Sequence, residues 1–138
     1  MLDTNLLISA LVPEHPEHAR SLPWLERARS AEVVAAVSVH SLAEFYSVLT
    51  GHLKARPSAV QQMIKADIIP YVQLITLNEA EYLALIAYAT AADIRGGTLF
   101  DVIIGWAAWK ADADLIVTLN TRHFHRLFPD RTEQIIGP

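Results

Sequence analysis

The sequence predicts a three-layer α/β fold with a central, mainly parallel sheet of four to five strands flanked by helices. Two observations predict it. Short apolar runs alternate along the chain with longer helical patterns, and the runs are unbroken stretches of Val, Ile, Leu and Ala rather than apolar–polar alternation. Strand–helix alternation is the mark of a parallel sheet, and strands covered on both faces read as continuous apolar runs. The 138 residues, 52% hydrophobic and 19% charged, exclude disorder and suit a single domain over 1–138 with a sizeable core.

In chain order, Leu2-Asp3 closes a first strand, and a helix is expected at about 5–12, then another at 16–30. A strand of only two residues is short against the usual five or so. Residues preceding Met1 are therefore expected to be missing, and firm hydrogen-exchange protection of the amino terminus would count against that. Val33–Val37 is the next buried strand, followed by helices at about 40–54 and 58–68, parted at Pro57-Ser58. Val72–Thr76 is a strand and 79–92 a helix, with Asn78 as N-cap and Glu79 and Glu81 where the helix dipole favours acids. Gly96-Gly97 breaks the chain before a helix at 98–111, Leu115–Thr118 is a further strand, and Gln134–Ile136 supplies an edge strand.

Composition narrows the function. Mean hydropathy is +0.26, yet no apolar stretch approaches the roughly 20 residues of a membrane span. The start, Met1-Leu2-Asp3-Thr4-Asn5, lacks the basic region of a signal peptide. There is no cysteine, which excludes disulfides, thiol nucleophiles and Cys-ligated zinc and suits a cytoplasmic location. The formal net charge of −4 means that contact with nucleic acid needs a local basic patch or bound cations. His52, Lys54, Arg56 and Lys65 fall in an acid-free stretch, and Arg122, His123, His125, Arg126 and Arg131 form a second group; each is equally an ordinary solvated face. His15-x-x-His18 and His123-x-His125 lack a third ligand at a convincing spacing for zinc, and His123 and His125 read as surface or RNA-facing residues. No G-x-S-x-G elbow or phosphate-binding G-x-x-x-x-G-K-[ST] loop occurs.

Four oxygen-bearing residues stand where packing would not put them: Asp3 after an apolar start, Glu44 just beyond the second strand, Asp101 in the otherwise apolar 98–111 helix, and Asn120 after the Leu115–Thr118 run. Each has a structural alternative. Ser41-x-x-Glu44 and Thr98-x-x-Asp101 match the capping box, and Asp3 and Asn120 suit N-caps. Asp3 and Asn120 each follow a strand end directly, where open parallel sheets bind ligands, and Glu44 lies about two turns into the helix after another strand. Gly105 and Ala108 on the Asp101 face leave space there. Three carboxylates brought together would repel one another, and a hard divalent cation, Mg²⁺ or Mn²⁺, would relieve that. Trp106, Trp109 and Phe100, at helical spacing, read as core rather than as a stacking surface.

Leu2-Asp3-Thr4-Asn5, the helical Glu44, Leu99-Phe100-Asp101 and Leu115-Ile116-Val117-Thr118-Leu119-Asn120-Thr121-Arg122-His123-Phe124 resemble the PIN-domain family, and within it the VapC toxins of toxin–antitoxin pairs. The likeness covers nearly the whole chain. It implies a PIN-like fold, a Mg²⁺- or Mn²⁺-dependent endoribonuclease, a homodimer, and a small VapB-like antitoxin as partner, with helices 40–54 and 58–68 contributing to such contacts. Matched residue by residue, Asp3, Glu44 and Asp101 take the places of the family's three central acids, and Thr118 matches the residue before its fourth acidic position. Asn120 departs from the Asp of many relatives, and without that charge a second ion should bind more weakly.

On this reading Asp3 and Asp101 hold the main metal, with Glu44 as a further ligand or as the group that orients or deprotonates water. Thr118 and Asn120 place the phosphate or a bound water, and Asn5 and Thr4 support Asp3. Arg95, Lys54, Arg56 and Arg122 are candidates for gripping RNA. The alternatives are a catalytically weakened PIN-like RNA-binding or scaffold domain, and a metal-dependent phosphatase or deoxyribonuclease. Nothing in the residues separates RNA from DNA.

Overall fold

The computed structural model describes residues 1–138. Helix α1 (Thr4–Leu11) and helix α2 (His18–Arg29) are followed by strand β1 (Ala36–Ser38) and helix α3 (Val39–Gly51). Helix α4 (Pro57–Met63) starts on Pro57, whose missing N–H costs nothing in the first turn, and runs on as a π turn over Ile64–Ile68 and a 3₁₀ turn over Ile69–Tyr71. Then come strand β2 (Gln73–Ile75), helix α5 (Glu79–Ala91), helix α6 (Thr98–Lys110), strand β3 (Ile116–Val117), helix α7 (Thr121–Leu127), a 3₁₀ segment over Pro129–Gln134 and strand β4 (Ile135–Ile136).

Local chemistry explains the helix boundaries. Asn78 and Glu81 form a reciprocal capping box at the start of α5. Gly96, at φ +58, takes the left-handed turn that an L side chain resists and delivers the chain into α6. The apolar α6 is core, as its composition predicts, with Val102, Ile103, Ile104, Gly105, Ala107 and Ala108 all buried.

The architecture is α/β, but the expected continuous sheet of four to five strands is not what pairs. Strand pairing is confined to two parallel pairs, β1–β2 and β3–β4, with one further bridge between Leu2 and Val117. The reason is length: no strand exceeds three residues. Backbone hydrogen bonds nevertheless tie the amino terminus between the pairs. Leu2 N donates to Ala36 O (2.8 Å), Val117 N to Met1 O (2.9 Å) and Asp3 N to Val117 O (3.1 Å).

Side chains along these segments point alternately to opposite faces. Leu2, Val37 and Val117 enter one buried cluster with Leu6, Leu7, Phe45 and Leu49 from α1 and α3. Met1, Ala36 and Ile116 enter a second with Ile104, Ala107, Phe124 and Phe128. Extended chain thus lies between two helical layers, which is the layering expected.

The strand limits need correction. The Val33–Val37 run does not pair as a unit: β1 begins at Ala36, and Val34 is 81% exposed. Strand β2 is an outer strand with Gln73 and Leu74 exposed, rather than one covered on both faces. No helix is long and apolar enough to cross a membrane.

Candidate active site

Asp3 ends the amino-terminal extended segment and occupies the N-cap position of α1, but its side chain makes no capping bond. Its carboxyl instead accepts a 2.6 Å hydrogen bond from Thr118 Oγ1, just past β3. Thr118 Oγ1 also accepts from Asn120 N (2.9 Å) and Asn5 Nδ2 (3.3 Å), while Asn5 Oδ1 accepts from Leu119 N (3.1 Å). Asn5 therefore laces α1 to the turn after β3. The Thr4 hydroxyl is buried without a partner.

Asp3 is 2% exposed. Burial, above all, pushes its carboxyl up to about 7; the Thr118 bond opposes this, and the charges of Asp101 and Glu44 add to it. Asp101 on α6 and Glu44 on α3 are thus near enough to Asp3, at the N-cap of α1, for their charges to act on it. Burial also raises Asp101, against the pull of His123 and with a push from Glu44. None of the three carboxylates pairs with Lys or Arg.

The capping alternatives are not what these side chains do. Ser38, not Ser41, caps α3, accepting from His40 N, and Ser41 Oγ is buried without a partner. Glu44 Oε2 is likewise buried and unpartnered. Helix α6 has Gly97 at its N-cap and no side-chain cap, and Asp101 pairs with His123 Nδ1 at 2.6 Å. Asn120 occupies the N-cap of α7 but makes no cap bond and is exposed.

His123 was not among the residues singled out for this site. Its signal in the sequence is its place three residues after Asn120, on the same side of α7. His125 turns away to the Ile135 carbonyl, and His15 and His18 serve local backbone bonds to Glu17 N and Ser9 O. The space expected beside Gly105 is filled, because a Cβ there would lie 2.5 Å from the Phe128 ring. Trp109 packs edge-on against Phe128 at 4.5 Å, and Phe100 and Trp106 lie against the Leu77, Leu85, Val102 and Ile103 cluster. Of the basic candidates, Arg95 is held by Asp93, whereas Lys54, Arg56 and Arg122 are exposed without ion pairs.

As the side chains stand, no three Asp, Glu or His groups close to ligand distance around one point. The donor set still fits a hard divalent cation: three carboxyls without a lysine or arginine partner, Asp101 alone being held by His123, and a buried Glu44 oxygen that nothing satisfies. A family model described as PIN domain matches residues 1–127, from Met1 to the end of α7. No curated protein matches the chain.

Proposed function

Because this chain belongs to the PIN-domain family, commonly nucleases, we propose that it is a Mg²⁺- or Mn²⁺-dependent endoribonuclease and the VapC-like toxin of a toxin–antitoxin pair. The observation that carries the nuclease reading is that Asp3, Glu44 and Asp101 act on one another without a lysine or arginine partner, with the Asp3 carboxyl pushed up to about 7. A carboxyl buried at such cost, with two further acids acting on it, is a poor way to stabilise a fold and a good way to hold a cation.

Asp3 and Asp101 would hold the main ion and Glu44 would complete it, directly or through water. A bound divalent ion supplies charge relief on the phosphate and a more acidic water. Thr118 aims the Asp3 carboxyl. Glu44, whose Oε2 is without a partner, would take the proton of the attacking water. The exposed Asn120 amide is free to donate to a phosphate oxygen, and Arg122, Lys54 and Arg56 offer cations to the RNA backbone. Tyr46 on α3, Leu53 just past its end and Ile69 in the 3₁₀ turn, all exposed, supply the apolar surface that a homodimer or a VapB-like antitoxin would cover. A cytoplasmic location and a single nuclease domain over 1–138 complete the reading.

A second reading has one specific observation in its favour. Asn120 puts an uncharged side chain at the fourth acidic position, which fits a catalytically weakened RNA-binding or scaffold domain.

The deciding experiment is Mn²⁺-dependent cleavage of total cellular RNA by wild type and Asp3→Ala, with EDTA as control and a matched DNA strand alongside. Discrete RNA fragments, absent in the variant and in EDTA, are expected. Mn²⁺ binding without cleavage would favour the scaffold, and neither binding nor cleavage would overturn the metal site. Growth arrest on expression, relieved by a co-expressed antitoxin, tests the toxin role.

A further inference from the structure

His40 stands in the first turn of α3 and Phe100 in the first turn of α6. Their ring centroids are 4.8 Å apart with planes inclined at 38°. The contact joins the two helices at the ends that carry the acids: Glu44 is one turn on from His40 on the same helix face, and Asp101 follows Phe100 directly. Both rings are half-buried rather than sealed. Phe100 lies against the outside of the Leu77–Leu85–Val102–Ile103 cluster, and His40 belongs to no core cluster. His40 enters the local hydrogen bonding through its backbone N–H to Ser38 Oγ, and neither ring nitrogen has a partner. A polar ring with both nitrogens free, one helical turn from Glu44, is thus laid obliquely on a phenyl ring that is next to Asp101 in the chain.

We propose that His40 and Phe100 form the platform on which an unpaired base of single-stranded RNA stacks, setting the nucleotide beside the scissile phosphate. The inference rests on the ribonuclease reading and adds the residues that position its substrate. Every base has a π face, so such a platform favours single strands over duplex without demanding a sequence. The free imidazole nitrogens of His40 are available to a base edge or a 2′-hydroxyl.

The test is fluorescence anisotropy of the full chain with a short labelled RNA strand, Ca²⁺ replacing Mn²⁺ to hold back cleavage, and one abasic residue walked along the strand. Wild type should show one position at which the missing base weakens binding about tenfold. His40→Leu and Phe100→Leu should bind all strands alike at the weaker level, and in cleavage assays the loss should fall on KM more than on kcat. A flat abasic scan for a wild type that cleaves RNA would overturn the platform and leave the nuclease standing. A base-dependent increment lost in both variants, with no Mn²⁺-dependent cleavage, would sustain the platform and defeat the nuclease reading. A wild type that binds no single strand would sink both. The wild-type scan needs no variant, so a variant that fails to fold does not rescue the proposal.

Discussion

Thr118 Oγ1 donates a 2.6 Å hydrogen bond to Asp3 Oδ2 from 115 residues along the chain. The same hydroxyl accepts from Asn120 N at 2.9 Å, so one buried side chain fixes both the first acid and the backbone of the fourth polar position. Thr118→Val keeps the volume and removes both of these bonds together with the 3.3 Å bond from Asn5 Nδ2. It should destabilise the protein by about 1–3 kcal/mol, the usual cost of stranding buried polar groups, and slow RNA cleavage, while Thr118→Ser restores both. Thermal melts beside initial rates check this; a valine variant as stable and active as wild type would remove Thr118 from the site.

The pH dependence of stability follows from Asp3. Burial, chiefly, lifts its carboxyl from 3.8 to about 7 on folding, so between those values the folded chain holds a proton that the unfolded chain releases. The contribution of this group is fully present below about pH 4 and is lost as the pH rises through about 7. Asp3→Asn removes the penalty. Its urea midpoint should exceed that of wild type at about pH 8, by a few kcal/mol in stability, and the gap should close toward about pH 4. Mn²⁺ should restore wild type at the higher pH, since a ligand of the folded state alone stabilises it. A gap that does not vary with pH would contradict the buried charge.

Asp101 carries a carboxyl raised by burial and held by His123. Asp101→Asn should cut RNA cleavage by at least about a hundredfold, or about 2.7 kcal/mol of barrier, with the circular dichroism of a folded protein. Collapse of the fold would make Asp101 a structural residue.

Asn120 is exposed and its side chain makes no capping bond. Replacing it with Asp adds a negative charge two residues from Thr118 and should tighten Mn²⁺ binding about tenfold in calorimetry, or about 1.4 kcal/mol. An unchanged isotherm would place Asn120 away from the ion.

Gly105 packs against the Phe128 ring. An added Cβ would meet Phe128 at 2.5 and 2.6 Å, too close for any side chain to stand. Gly105→Ala should destabilise by about 1–3 kcal/mol, and Phe128→Leu should recover part of that loss in the double variant. Additive losses in denaturant melts would mean that the two sites do not touch.

Helices were legible in the chain because their signals are local. The expected helices at 79–92 and 98–111 end within a residue of Glu79–Ala91 and Thr98–Lys110, because the Asn78 cap and the Gly96-Gly97 break act over one turn. The strands were less legible. Val33 and Val34 look like Ala36 and Val37 in composition, but only the latter find partners, in Gln73 and Leu74. An apolar run says nothing about which remote segment it will pair with.

The order of Asp3, Glu44, Asp101 and Thr118 along the chain, and the absence of any competing motif, made the acids visible as a set. The sequence by itself determined the α/β class, the placing of the helices and which polar residues are out of place. Tertiary structure alone decided that Thr118 serves Asp3, that His123 rather than a helix end holds Asp101, and that Phe128 fills the space beside Gly105. The reason is physical: capping and periodicity act over three or four residues, whereas a hydrogen bond across 115 residues exists only after two helical layers have closed over the extended segments between them.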